Sequence, residues 1–293
     1  MTLNLALTSD QVKNAVATIK LNKPVYADML DFYGKIFDEQ EMSKGRIQIQ
    51  PLQISEDMRT IKTREKFSLI EIKEFLFDEV EAGRLFFVIC NLAKEANPKL
   101  AADAAAILKA KDKVIKTGEL FSGLLNSDDA LYEKIAGKLD IADTTLGFIT
   151  YNSLKPSLSV CADQLSSYLN KEDPWLKGYC PICGSPPVLS ILEGSGGRSL
   201  ICSFCWHPWA VQRVFCPYCE NRDSKTQHYF YNEGEKEFRV ELCDGCKKYL
   251  KALDSRETER MIYPPLEQIS SPHLDYTARE LGYATGIRLA MPV

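Results

Sequence analysis

The first 170 residues carry apolar positions at spacings of three and four, the signature of helices with one buried face. Thr8 and Gln11 fit a capping box ahead of a first helix. Ser68 and Glu71 fit a second, and Leu69, Ile72, Leu76 and Val80 after it would share one face. Asn97 followed by Pro98 is a good cap and first helical position, and an Ala-rich run follows to about Ile115. Further helices are predicted over 24–41, 128–138, 143–154 and 156–169, with Pro156 starting a new helix or kinking an existing one. The stretch 43–66 is less regular. With Lys44, Arg46, Lys62, Arg64 and Lys66 it reads as a long solvated loop.

The pattern changes near 170–175. From there to about Leu250 the chain is short strand-like runs, glycines and paired cysteines. The runs 187–192 and 198–202 bracket a Gly-rich turn, a hairpin signal, and a second pair of runs brackets a turn at 232–236. The tail predicts one more helix over 270–286, with Leu274, Ala278 and Leu281 on a face and Gly282 or Gly286 as its stop. The expected class is therefore α+β: an all-helical domain over 1–170, two tandem rubredoxin-like or zinc-ribbon modules over 175–210 and 211–255, and a C-terminal helix packed on the body.

The chain has 293 residues, 45% hydrophobic and 26% charged, with a formal net charge of −4. That length suits two domains. The charge gives no general reason to seek nucleic acid or an anionic membrane. No run of about 18 apolar residues is present, so membrane insertion is not expected. The N-terminus lacks a basic segment followed by a long apolar core, so it does not read as a signal peptide. A cytoplasmic location follows as the expectation.

Cysteine changes the picture. There are ten, and eight fall between Cys180 and Cys246. In a reducing compartment, eight clustered thiols point to metal rather than disulfides. Cys90 and Cys161 stand alone in apolar, helix-like runs, where a free thiol behaves as a small buried hydrophobe. The eight form four CxxC pairs: Cys180/Cys183, Cys202/Cys205, Cys216/Cys219 and Cys243/Cys246. The wide intervals after the first and third pairs are near zinc-ribbon spacing, and each contains a predicted hairpin. The simplest assignment is sequential: one site from Cys180, Cys183, Cys202 and Cys205, another from Cys216, Cys219, Cys243 and Cys246. Each CxxC turn brings two sulfurs to one ion, and a hairpin brings two turns together. A small residue after the knuckle lets backbone N–H groups approach the thiolates; Gly184 fits that role, and Gly245 lies within its knuckle. The cofactors expected are two metal ions, iron or zinc, each held tetrahedrally by four cysteines. A closed four-sulfur shell leaves no open position for Lewis-acid catalysis, and no catalytic residues are assigned.

His207 lies beside the second knuckle, but four cysteines already complete its site. His228 and His273 pair with no recognisable nucleophile or acid. Trp206 and Trp209 flank the second knuckle and would cover it or bridge two ribbons. Residues 178–251 hold nine Lys/Arg against eight Asp/Glu. Loaded four-cysteine sites add negative charge, which disfavours a phosphate backbone as ligand. A rubredoxin-like electron carrier fits the ligand set but leaves the long helical domain without a task. A protein-binding accessory factor uses both parts.

The motifs GYCPICGSPP at 178–187, CSFCWHPW at 202–209, CPYCE at 216–220 and CDGCKKYLK at 243–251 closely resemble the FdhE family of formate dehydrogenase accessory proteins. That family shows GYCPxCGxxP, CSxCxxxW, CxxCG and CDxCxxYLK in this order; Glu220 stands where its third motif has glycine. The likeness spans about 150–283 and includes the segment before the metal region and the terminal helix. It implies a helical domain followed by two rubredoxin-like modules that hold iron or zinc. It also implies a cytoplasmic, non-catalytic factor that binds the catalytic subunit of a molybdenum- or tungsten-containing formate dehydrogenase during maturation. Where that enzyme is exported, binding precedes export. Self-association is compatible with all of this.

Overall fold

A computed structural model describes residues 7–111, 113–170, 174–194 and 196–287. The first six residues, part of the change of character at 170–175, and Ser195 of the expected first turn lie outside the described residues. The class is α+β, helical first and sheet-containing after, as expected. Two compact units divide the chain: residues 7–52 with 71–164, and residues 53–70 with 165–287.

In chain order the helices of the N-terminal region are α1 (Ser9–Asn22), α2 (Ala27–Lys44), α3 (Glu56–Glu65), α4 (Glu79–Ala93), α5 (Pro98–Lys109), α6 (Thr117–Leu125), α7 (Asp129–Leu139) and α8 (Asp143–Ser166). The Thr8–Gln11 capping box is formed, and Asn97 caps α5 through Leu100 N–H. Val12, Ile19, Leu30, Ile36, Phe86, Ile89, Phe121 and Ile149 are among the buried apolar residues of the helical unit. Cys90 and Cys161 are buried there too, and burial pushes the Cys90 thiol up to about 12.

Four expectations for this region need correction. The face 69, 72, 76, 80 is not a helix. Leu69 and Ile70 lie in a bend and donate their N–H groups to the carbonyls of Pro181 and Ile182, only a 3-10 turn follows at Ile72–Glu74, and α4 starts only at Glu79, capped by Asp78. Backbone pairing with a distant segment overrides the local spacing. The expected loop 43–66 contains α3, capped by Ser55 and ended by Lys66 in a left-handed conformation. This helix lies in the second unit, so the division expected at residue 170 is crossed by 53–70. Finally, α8 is one helix through Pro156, so of the two expected alternatives no new helix starts there. Proline cannot donate to the carbonyl four residues back. Gln40 Nε2 donates to that carbonyl of Asn152 instead, at 2.8 Å.

The second unit is built on one sheet: β1 (Pro187–Leu192), β2 (Arg198–Cys202), β3 (Pro208–Val211), β4 (Gln227–Phe230), β5 (Phe238–Cys243), β6 (Lys248–Asp254) and the short β7 (Ala284–Thr285). The order is β3-β2-β1-β6-β5-β4, with β7 beside β6. Both expected hairpins are present: β1 with β2, and β4 with β5. The two ribbons share this sheet through a parallel seam in which Leu189 to Leu192 pair with Lys251 to Asp254. Phe238, Val240, Leu242, Tyr249 and Leu253 pack under α10 (Pro272–Glu280) through Leu274 and Ala278. A short helix, α9 (Pro264–Ile269), precedes it. The tail helix expected over 270–286 is shorter: α10 ends at Glu280, Leu281 is exposed rather than on the buried face, Gly282 at φ +87° follows, and Ala284–Thr285 pairs with β6 as β7. Lys251 is 2% exposed, and its ammonium reaches Gln268 O at 2.8 Å and Asp275 at 2.7 Å, which ties the sheet to the α9–α10 corner.

Candidate metal centre

Each site grows from two knuckles set at the ends of strands. In the first knuckle, Gly184 N–H donates to Cys180 O at 2.9 Å and Cys180 N–H to Ser185 O at 2.9 Å. The third repeats this with Glu220 N–H to Cys216 O and Cys216 N–H to Asn221 O, both at 2.8 Å. In the fourth, Lys247 N–H donates to Cys243 O at 2.8 Å. The residue after each knuckle's second cysteine has a positive φ: Gly184 (74°), Trp206 (63°), Glu220 (57°) and Lys247 (55°). This turn aims the intervening N–H groups back at sulfur; in the second knuckle Phe204 and Cys205 N–H reach Cys202 Sγ at 3.3 and 3.4 Å. Glu220 thus takes the conformation that glycine favours, and the third knuckle keeps the shape of the others.

The sulfurs assemble in two sequential groups, Cys180/Cys183/Cys202/Cys205 and Cys216/Cys219/Cys243/Cys246, each with all its donor atoms within 4.8 Å of one another. In the first, Cys180–Cys205, Cys183–Cys202 and Cys183–Cys205 are 3.7, 3.5 and 3.7 Å apart. In the second, Cys216–Cys246 and Cys219–Cys243 are both 3.7 Å apart. Four sulfurs at about 2.3 Å from a tetrahedral ion are separated by roughly 3.8 Å. The donor set and its spacing therefore fit one ion per site, and zinc-ribbon geometry accommodates both.

The sites differ in cover. All four cysteines of the first are buried, whereas in the second Cys219 is exposed and Cys246 half-buried. Hydrogen bonds from Cys180, Cys202 and Cys205 hold the Cys183 thiol well below the usual range, while burial pushes Cys180 and Cys205 up. In the second site burial opposes ionisation of Cys243, but the N–H groups of Cys246 and Gly245 and the neighbouring thiols outweigh it and draw Cys243 down to about 7.

Neighbouring residues complete the centres. His207 is outside both sulfur groups; its carbonyl accepts Cys202 N–H at 3.1 Å, and burial lowers its ring to about 4. His228 contacts Asp244 at 2.8 Å and His273 contacts Glu235 at 2.5 Å, away from any nucleophile arrangement. Trp209 is buried and donates from Nε1 to Lys177 O at 2.9 Å, and Trp206 packs against Val188, Leu189, Ile191 and Ile201. Sequence reasoning missed Asn221, which accepts from Cys216 N–H and places Nδ2 3.9 Å from Cys243 Sγ. Its position two residues past the third CxxC is the only local signal.

Comparison with known proteins finds one family throughout. The FdhE central-domain profile matches residues 179–213, which contain the whole first site. An FdhE homolog of Aquifex aeolicus is 26% identical over 275 residues, 92% of this chain and 90% of its own. An Escherichia coli FdhE is 35% identical over 109 residues, 36% of this chain and 35% of its own. The crystal structure of the FdhE protein from Pseudomonas aeruginosa covers 97% of this chain and 95% of its own at a TM-score of 0.63 and 20% identity, and so shares the fold. The chain is similar to FdhE proteins in sequence and shares the fold of one of them. Both paired-knuckle groups thus lie in a chain that FdhE relatives match over most of its length. Among the described residues, no helix is long and apolar enough to cross a membrane.

Proposed function

We propose that this protein is a non-catalytic maturation factor that binds the catalytic subunit of formate dehydrogenase in the cytoplasm during assembly, before export where that enzyme is exported. The eight cysteines act as ligands of two ions, iron or zinc. The observation that carries the reading is the pair of closed four-sulfur groups on one sheet, in a chain similar to FdhE proteins. A bound ion cross-links two knuckles and supplies folding free energy. A shell filled by sulfur offers no coordination position to a substrate, which supports a binding role over a catalytic one.

An anaerobic pull-down tests this, with the protein as bait in lysate that expresses formate dehydrogenase. Enrichment of the catalytic subunit, lost in Cys216→Ser, is the expected result. No enrichment under reducing conditions overturns it. A second reading, a rubredoxin-like redox centre, is favoured by one observation: exposed Cys219 brings the edge of the second site to solvent. It requires an iron absorption spectrum that bleaches reversibly on reduction, which zinc does not give.

A further inference from the structure

Along β5, Arg239, Glu241 and Cys243 alternate with Phe238, Val240 and Leu242, so they leave the sheet on the side away from α10. On that side lies a cavity of about 270 Å³ whose lining includes Arg198, Arg213, Arg239, Lys248, Glu241 and Tyr229. In a chain of net charge −4, four cations and one carboxylate meet here.

The carboxylate is already committed. Glu241 holds Arg198 Nη2 at 2.5 Å through one oxygen and Arg239 Nη2 at 3.0 Å through the other. Arg198 is nearly fully buried and also donates to Phe215 O at 2.7 Å, so this side of the cavity is rigid. Arg239 lies 5.0 Å from the Tyr229 ring, yet its Nε is buried with no hydrogen-bond partner. Arg213 makes one long contact, to Gly197 O at 3.5 Å, and Lys248 lies 5.5 Å from the Tyr218 ring. Neither has a carboxylate in ion-pair reach among the described residues. Burial and the nearby Arg239 and Arg256 guanidiniums lower Arg213, against the opposing pull of Glu241 and Asp254.

Part of this charge offsets the second metal site, since Cys216 and Cys243 also border the cavity. A loaded four-thiolate site carries about two negative charges. Four cations against Glu241 and those two charges still leave a positive excess. A buried donor without a partner costs free energy that a ligand oxygen would recover.

We propose that this cavity binds a small organic oxyanion, a carboxylate or phosphate ester carried on a flat, apolar body. Guanidinium forks match both head groups. The Tyr229 and Phe215 rings offer the apolar contact. The volume lies just below the usual range for drug-sized ligands, which limits the body to about one ring. Nothing in the formate dehydrogenase reading requires this site, and its test is independent of that partner.

The experiment titrates full-length, zinc-loaded protein with phenyl phosphate and with benzoate. Isothermal calorimetry gives affinity, and the ¹⁵N–¹H signal of Arg239 Nε reports the vacant donor directly. Saturable binding with a shifted, exchange-protected Nε signal is expected. Arg213→Gln and Lys248→Gln should each weaken it about tenfold or more. Native mass spectrometry confirms that both variants keep two ions. Tighter phenyl phosphate assigns a phosphate ester, and tighter benzoate a carboxylate. No saturable shift with either probe overturns the site, as does unchanged affinity in both variants.

Discussion

Gly178 lies against the backbone of Pro217: a Cβ added to Gly178 would fall 1.9 Å from the Pro217 carbonyl oxygen. The residue two positions before the first knuckle thus meets the residue just inside the third, and the two four-cysteine groups approach each other here through backbone. Gly178→Ala must push these loops apart. We expect a loss of about 1–3 kcal/mol or more in denaturant unfolding of the zinc-loaded protein. An unchanged midpoint would show that the two loops separate freely.

Glu220 occupies a left-handed position that costs a non-glycine residue of order 1 kcal/mol. Its side chain makes a half-exposed ion pair to Lys177 at 3.5 Å and accepts a long hydrogen bond from Gly178 N–H at 3.4 Å, and both contribute little. Glu220→Gly should therefore stabilise the protein by about 0.5–1 kcal/mol, less what the freer unfolded chain takes back. Thermal melts of the loaded protein read this, and a lowered Tm contradicts it.

Unequal cover predicts unequal lability. Cys219 is exposed while the first site is wholly buried. Iodoacetamide should modify Cys219 first, and a chelator should remove one ion at least about tenfold faster than the other. Native mass spectrometry during chelation should show a persistent one-ion species whose second site is empty. Simultaneous loss of both ions would refute this asymmetry.

In the helical unit, burial opposes ionisation of Glu81, but Arg84, Ser43 and Arg46 outweigh it and hold the carboxyl below its usual range. Arg84 Nη2 and Ser43 Oγ both lie 2.8 Å from it. A depressed folded pKa contributes stability that is present above the unfolded value and lost as pH falls through the folded one. Glu81→Gln should cost about 1–3 kcal/mol at pH 7. The gap between variant and parent should close as pH falls below about 4.5. Parallel urea titrations across that range check the sign.

The knuckles are legible in the sequence because each depends on four or five consecutive residues, and their pairing follows from the hairpins between them. Helix α3 is legible in principle: Ser55 as cap, Glu56 and Asp57 in the first turn, Lys62 and Arg64 in the last. The cluster of basic residues hides it by resembling a solvated loop. The start of helix α4 is hidden because Leu69 and Ile70 answer to Pro181 and Ile182, more than a hundred positions away. The continuity of α8 through Pro156 depends on Gln40, which no local pattern announces. The pairing of β1 with β6 is non-local in the same way. Those strands read as two ordinary ribbon edges until their register is seen.

That seam sets an order of events during synthesis. A chain emerging N-terminus first completes its first four-cysteine set at Cys205, 41 residues before Cys246 (246 − 205). The first ion can thus be captured while the second ribbon is still unmade. Strand β1, entirely buried in the finished molecule, must then wait with a bare apolar edge until Lys251 to Asp254 arrive. An unpaired edge of this kind is where nascent chains associate wrongly. Slow translation between these two points lengthens that exposure, and rapid passage to residue 254 shortens it.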